Sequence, residues 1–142
     1  MDYFINEGAI QLPEGFQDRT TNIFVQGEPG KSTLNFNISR EQLQPGEDLG
    51  QYITRQIELM ESKLKDYRLK DRRAARLGVR PAIPGEQIEA TQRNNNQVFY
   101  QRQAAFVVGE GHVLVFSATS TAPLSSAFEA LWQGWLNSFV PR

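Results

Sequence analysis

The sequence predicts an α+β fold, an antiparallel β-sheet with two main helices packed on one side. Three observations predict it. Short segments rich in β-branched and aromatic residues alternate apolar with polar positions, the period of a strand. Two longer segments repeat apolar residues at three- and four-residue steps, the period of a helix. The order along the chain is strands, helix, strands, helix, rather than the strict alternation of a parallel sheet. The 142 residues are read as a single domain spanning 1–142. Apolar residues make up 39% of the chain and aromatic residues 11%, too many for disorder and too few for a membrane protein.

The elements follow in order. Tyr3–Ile5 and Ala9–Leu12 are short strands closed by Pro13, Glu14 and Gly15. Thr20–Gln26 is a strand by its β-branched and aromatic content, and Gly27-Glu28-Pro29-Gly30-Lys31 is a turn. In Ser32–Ser39, Leu34, Phe36 and Ile38 alternate with Thr33, Asn35 and Asn37, so this strand has two chemically distinct faces. Pro45-Gly46-Glu47 breaks the sheet and Asp48 caps a helix that runs to about Lys65, with Leu49, Tyr52, Ile53, Ile57, Met60 and Leu64 on its apolar side. Arg68–Arg76 is an extended, basic edge. Ile88–Thr91 is a strand, Asn94-Asn95-Asn96 a hairpin tip, Gln97–Val108 a long strand, Gly109-Glu110-Gly111 a tight turn and His112–Thr119 another strand. Ser125 or Ser126 caps a last helix whose apolar face is Ala127, Phe128, Leu131, Trp132, Trp135, Leu136 and Phe139, with Pro141 beyond it.

The composition narrows the chemistry. Without cysteine there is no disulfide, thiol nucleophile or thiolate metal site. Fifteen basic and sixteen acidic residues give a net charge of −1, which argues against nucleic acid as a partner. The N-terminal residues lack the basic and apolar regions of a secretory signal, and the longest apolar run, Ala104–Val108, is far shorter than a spanning helix. Cytoplasmic residence without membrane insertion is therefore expected. His112 stands alone, the carboxylates fall in turns or on the polar side of the first helix, and no serine sits in a nucleophile elbow. No catalytic residue, cofactor or metal is expected. The basic stretch Lys63–Arg80 reads as a solvated edge or as a docking surface for an acidic partner.

One feature is left over. Asn35, Asn37, Gln51, Gln56, Gln97, Gln101 and Gln103 lie inside the elements rather than in loops. A sheet face mixing apolar residues with uncharged amides differs from the usual Lys- and Glu-covered solvent face. It is either a wet face with a neutral palette or a surface for a largely apolar ligand with a few hydrogen-bonding groups.

Thr20-Thr21-Asn22-Ile23-Phe24, the strand ending Ile38-Ser39-Arg40, the helix segment Tyr52-Ile53-Thr54-Arg55-Gln56, the Arg102-Gln103 strand and the terminal Phe139-Val140-Pro141-Arg142 resemble the Eag chaperones of bacterial type VI secretion, small domains of the DcrB-like group. The resemblance runs through nearly the whole chain in order and spacing. It implies a PsbP-like fold, a homodimer, and a chaperone that shields the N-terminal transmembrane segments of a PAAR- or Rhs-type effector while the effector is loaded onto the secretion spike. It places client contacts at Thr21, Ile23, Asn37, Gln56, Leu64, Phe99 and Gln103, where Ile23, Leu64 and Phe99 give apolar contact and Gln56 and Gln103 give amide hydrogen bonds. Thr21 and Asn37 are more polar than the family pattern. The alternative is a non-catalytic binding module of the wider DcrB-like and PsbP-like group that serves an envelope or regulatory complex.

Overall fold

The computed structural model describes residues 2–28 and 33–142. Among these, the elements are β1 (Asp2–Ile5), β2 (Gly8–Gln11), β3 (Asn22–Val25), β4 (Leu34–Gln42), α1 (Leu49–Lys63), β5 (Arg68–Leu77), β6 (Ile83–Asn94), β7 (Gln97–Val107), β8 (His112–Ser120) and α2 (Ser126–Asn137). β1 and β2 pair only with each other, and the other six strands form one antiparallel sheet in the order β3-β4-β8-β7-β6-β5. The expected α+β class is what the chain adopts. The expected turn at Gly27–Lys31 lies partly outside the described residues.

Local sequence explains the boundaries. Asp48 accepts from the backbone N–H of Gln51 at 2.8 Å while the Gln51 side chain accepts from the Asp48 N–H at 2.9 Å, a capping box that starts α1. Ser125, one of the two candidate caps, accepts from the Phe128 N–H and starts α2. Asn95 and Asn96 both have positive φ, +52° and +66°, as a two-residue hairpin turn requires. Two strands are longer than the sequence predicts. β4 continues past Ser39 because Arg40, Glu41 and Gln42 keep pairing with Leu114, Val113 and His112. β6 starts at Ile83 rather than Ile88, although Pro84 and Gly85 disfavour a strand. A Cβ on Gly85 would lie 2.4 Å from the Phe106 ring opposite it, so glycine is what lets that ring lie across the strand.

The placement of both helices on one side is corrected by the structure: they pack on opposite faces. Alternate residues of the same strands divide between them. Ala104, Phe106, Phe116 and Ala118 pack with Phe128, Trp132 and Leu136 of α2. Ala105, Val113 and Val115 pack with Tyr52, Ile53 and Ile57 of α1. Because successive side chains of a strand point to opposite faces, the two clusters are separated by the sheet itself. Element order alone does not reveal which face a helix takes.

The α2 layer is aromatic. Phe36 stacks on Trp135 with centroids 4.3 Å apart, and Phe128 stacks on Trp132 at 6.0 Å. Arg102 of β7 is 2% exposed beneath it, against the faces of Phe128 and Trp132. Its guanidinium is held by Glu89 of β6, at 2.5 Å, and by Glu129 of α2. Arg102 in turn holds the Glu129 carboxyl below the usual carboxylate range. On the other face, Arg72 of β5 ties α1 down by donating to Thr54 Oγ1, the Gly50 carbonyl and Glu86, each at 2.9 Å.

The Arg102 node predicts an asymmetry. Arg102→Met leaves two partly hydrated carboxylates and should cost about 2 kcal/mol, whereas Glu89→Gln with Glu129→Gln strands a buried guanidinium and should cost about 3–5 kcal/mol. Urea unfolding of both variants measures the order, which a purely steric role for Arg102 would reverse.

Candidate functional site

The α1 face of the sheet is only partly covered. Directly paired residues of antiparallel strands share a face, so the register defines two adjacent rungs. The first is Ile23, Asn37, Ser117, Gln103, Ile88 and Arg72. The second is Val25, Asn35, Thr119, Gln101, Ala90 and Leu69. Both rungs begin apolar, amide, hydroxyl, amide, apolar, and the first then ends on Arg72 and the second on Leu69. A neutral polar stripe therefore runs over β4, β8 and β7 between two apolar margins. Phe99, paired with Gln92, lies on the same face one rung further out.

α1 forms one wall. Gln56, Met60 and Leu64 are spaced at i, i+4 and i+8 and share a side of the helix. Gln56 and Met60 line a recess of ≈ 110 Å³ with Gln103, Ser39, Glu41 and Tyr52. That is room for a side chain or several waters, not for a helix, so anything larger must lie along the open sheet beside it. The amides of Asn35, Asn37, Gln56, Gln101 and Gln103 make no side-chain hydrogen bond to the described residues. At the outer end, Tyr67 Oη and Gln92 Oε1 are buried with no partner.

The seven expected contact residues can now be placed. Ile23, Asn37 and Gln103 are neighbours on one rung, Ile23 being 68% exposed. Gln56 joins Gln103 across the recess, and Phe99 shares their face. Leu64, at the C-cap of α1, and Thr21, one residue before β3, lie at the margins. Sequence reasoning missed Val25, Ser117, Thr119 and Leu69. Their signal was parity with the named residues, readable only once the register is known.

A family model described as DcrB matches residues 7–138. The chain belongs to the DcrB family. The protein named Effector EagT6 of Pseudomonas aeruginosa is 27% identical over 144 residues, covering 99% of this chain and 95% of that one. This match bears out the Eag resemblance drawn from the sequence. Two solved structures share the fold seen here. PA94, a protein of unknown function from P. aeruginosa, has a TM-score of 0.73 at 22% identity, covering 100% of this chain and 96% of its own. LpqN, involved in cell envelope biogenesis of Mycobacterium tuberculosis, has a TM-score of 0.51 at 13% identity, covering 87% and 83%. Among the described residues no helix is long and apolar enough to cross a membrane, and no group of metal-ligating side chains is found.

Tyr52, which lines the recess, carries a pH signature. Burial pushes its phenol from 10.0 up to about 12, and the Glu41 carboxylate adds to the shift. Below pH 10 the phenol is protonated in both folded and unfolded chains, so the contribution is intact there. It is lost as the unfolded chain ionises first, between pH 10 and about 12, and amounts to about 3 kcal/mol. Tyr52→Phe should therefore lose less stability than the parent over that interval in parallel urea titrations.

Proposed function

We propose that this chain is a cytoplasmic chaperone for the N-terminal transmembrane segments of a PAAR- or Rhs-type type VI secretion effector, holding them until the effector is loaded onto the spike. The observation that carries the reading is the open sheet face, where unbonded amides and hydroxyls form a stripe between apolar margins. The match to a protein named as an effector supports a role associated with such effectors.

The chemistry suits that client. A membrane helix in water exposes a continuous apolar surface and aggregates. Burying about 800 Å² of it gains about 20 kcal/mol before ordering and association costs. Such helices also carry Ser, Thr or Asn groups that hydrogen-bond to neighbouring helices in the bilayer. Ile23, Leu64 and Phe99 replace the lipid, while Gln56 and Gln103 replace the polar partners without burying a charge. Thr21 and Asn37 extend the polar margin. The absence of any catalytic role belongs to the same reading, in which the chain, 1–142, works as one binding domain.

The same reading includes a homodimer. The β1–β2 hairpin leaves the main sheet, and its Phe4 is 76% exposed. An isolated two-stranded hairpin is marginal in water. The edge strand β3 and Leu131 of α2 line an apolar hollow with Phe36 on the same chain. Two copies that exchange arm and hollow satisfy both surfaces with one symmetric contact. Phe4→Glu with Ile10→Glu should shift the sedimentation mass from dimer to monomer, and an unchanged dimer would remove the arm from the interface.

The test of client binding is co-expression with the transmembrane N-terminal segment of a type VI effector. The parent chain should keep the segment in the soluble fraction. Gln56→Ala with Gln103→Ala should fold normally and bind about tenfold more weakly, as expected for two lost hydrogen bonds. Full capture by the folded double variant would exclude the amide stripe as the client surface.

A further inference from the structure

The basic stretch holds both paired and unpaired cations. Arg72 is engaged with Glu86 and α1, and Arg73 pairs with Asp71. Arg55 and Arg102 are likewise matched by carboxylates. Arg68, Lys70 and Arg93 are not: among the described residues none of their side chains has an ion pair or a hydrogen bond. Yet all three line a single open cleft of ≈ 440 Å³ at the outer end of β5, β6 and β7, over a floor that includes Val98 and Tyr100. Asp66 is its one carboxylate.

The cleft does not belong to the amide-lined groove. Arg68 pairs with Thr91, Thr91 with Tyr100 and Arg93 with Val98. By strand alternation these residues lie on the face that carries α2, opposite Gln103 and Asn37. Edge strands often carry charge to deter pairing, but Arg93 is on the inner strand β6 and projects from a face rather than the edge. Three cations without an ion pair converge on one cleft that holds a single carboxylate, which marks a surface that meets negative charge.

We propose that this cleft is a docking surface for an acidic peptide segment of a partner protein, separate from the amide-lined groove. The spacing favours a peptide over a single phosphate. Arg68 and Arg93 are diagonal neighbours, about 7–8 Å apart in such a ladder, whereas alternate carboxylates of an extended chain lie about 7 Å apart. Val98 and Tyr100 line the same cleft as the cations, which suits one apolar side chain of a peptide.

The test uses the full chain and a fluorescent glutamate-rich peptide with one central phenylalanine, followed by anisotropy at low ionic strength. The parent should bind, and added salt should weaken binding. Arg68→Glu, Lys70→Glu and Arg93→Glu together should weaken it about tenfold or more. A control reversing the exposed Arg19, Arg80 and Arg142 makes the same change in net charge and should bind as the parent does. Circular dichroism checks that both triple variants are folded. No binding by the parent, or equal loss in the two variants, overturns the proposal. Binding only to phosphatidylglycerol vesicles, or displacement of the peptide by millimolar inorganic phosphate, would assign the cleft to a lipid headgroup or a free anion and also overturn it.

Discussion

The molecule depends on the division of one sheet into two faces that are covered unequally. α2 presents Phe128, Trp132 and Leu136 to Phe36, Phe106 and Phe116 and fills the middle of its side with stacked rings and a buried guanidinium. α1 is fifteen residues long, about 22 Å, and a helix is about 10 Å wide. The sheet beneath is six strands across, about 25 Å, and the twelve residues of β6 span about 40 Å. Neither helix can cover that area alone, and α2, twelve residues long, leaves the outer ends of β5, β6 and β7 open on its own side. The uncovered part is where the sequence changes from Ala105, Val113 and Val115 under α1 to half-buried Asn35, Thr119 and Gln101.

The residues at the border show how the change is managed. Tyr52 and Ile88 are buried, while Gln56 and Gln103 are half-buried beside them. Amides can hydrogen-bond to water on an open face without the cost of a buried charge. Ionised residues on the same face stand at its rim. Arg72 is spent on fastening α1, and Glu41 lies near the helix start.

Much of this was legible in the sequence, and the limits have physical causes. The two helices, their caps at Asp48 and Ser125, the Asn95-Asn96 tip and the basic strand from Arg68 are local features, and local chemistry reports them. β6 was cut short because Pro84 and Gly85 obey a tertiary demand, the Phe106 ring, that propensity does not contain. The sides taken by the helices were misjudged for a similar reason: period-2 patterns show that β4 has an aromatic face and an amide face, but not which helix each one meets. Ile23, Asn37 and Gln103 were named one by one from a resemblance. Their adjacency, through Ser117, appears only when the strand order β3-β4-β8-β7 is known.

The alternation in β4 also limits how this surface can diversify. Leu34, Phe36 and Ile38 serve one layer, and Asn35 and Asn37 the other. Inserting or deleting a single residue inside the strand would hand the rings to the open side and the amides to the sealed one. Descendants of this gene can therefore retune this face by exchanging letters, while changes of length are confined to the loops between strands.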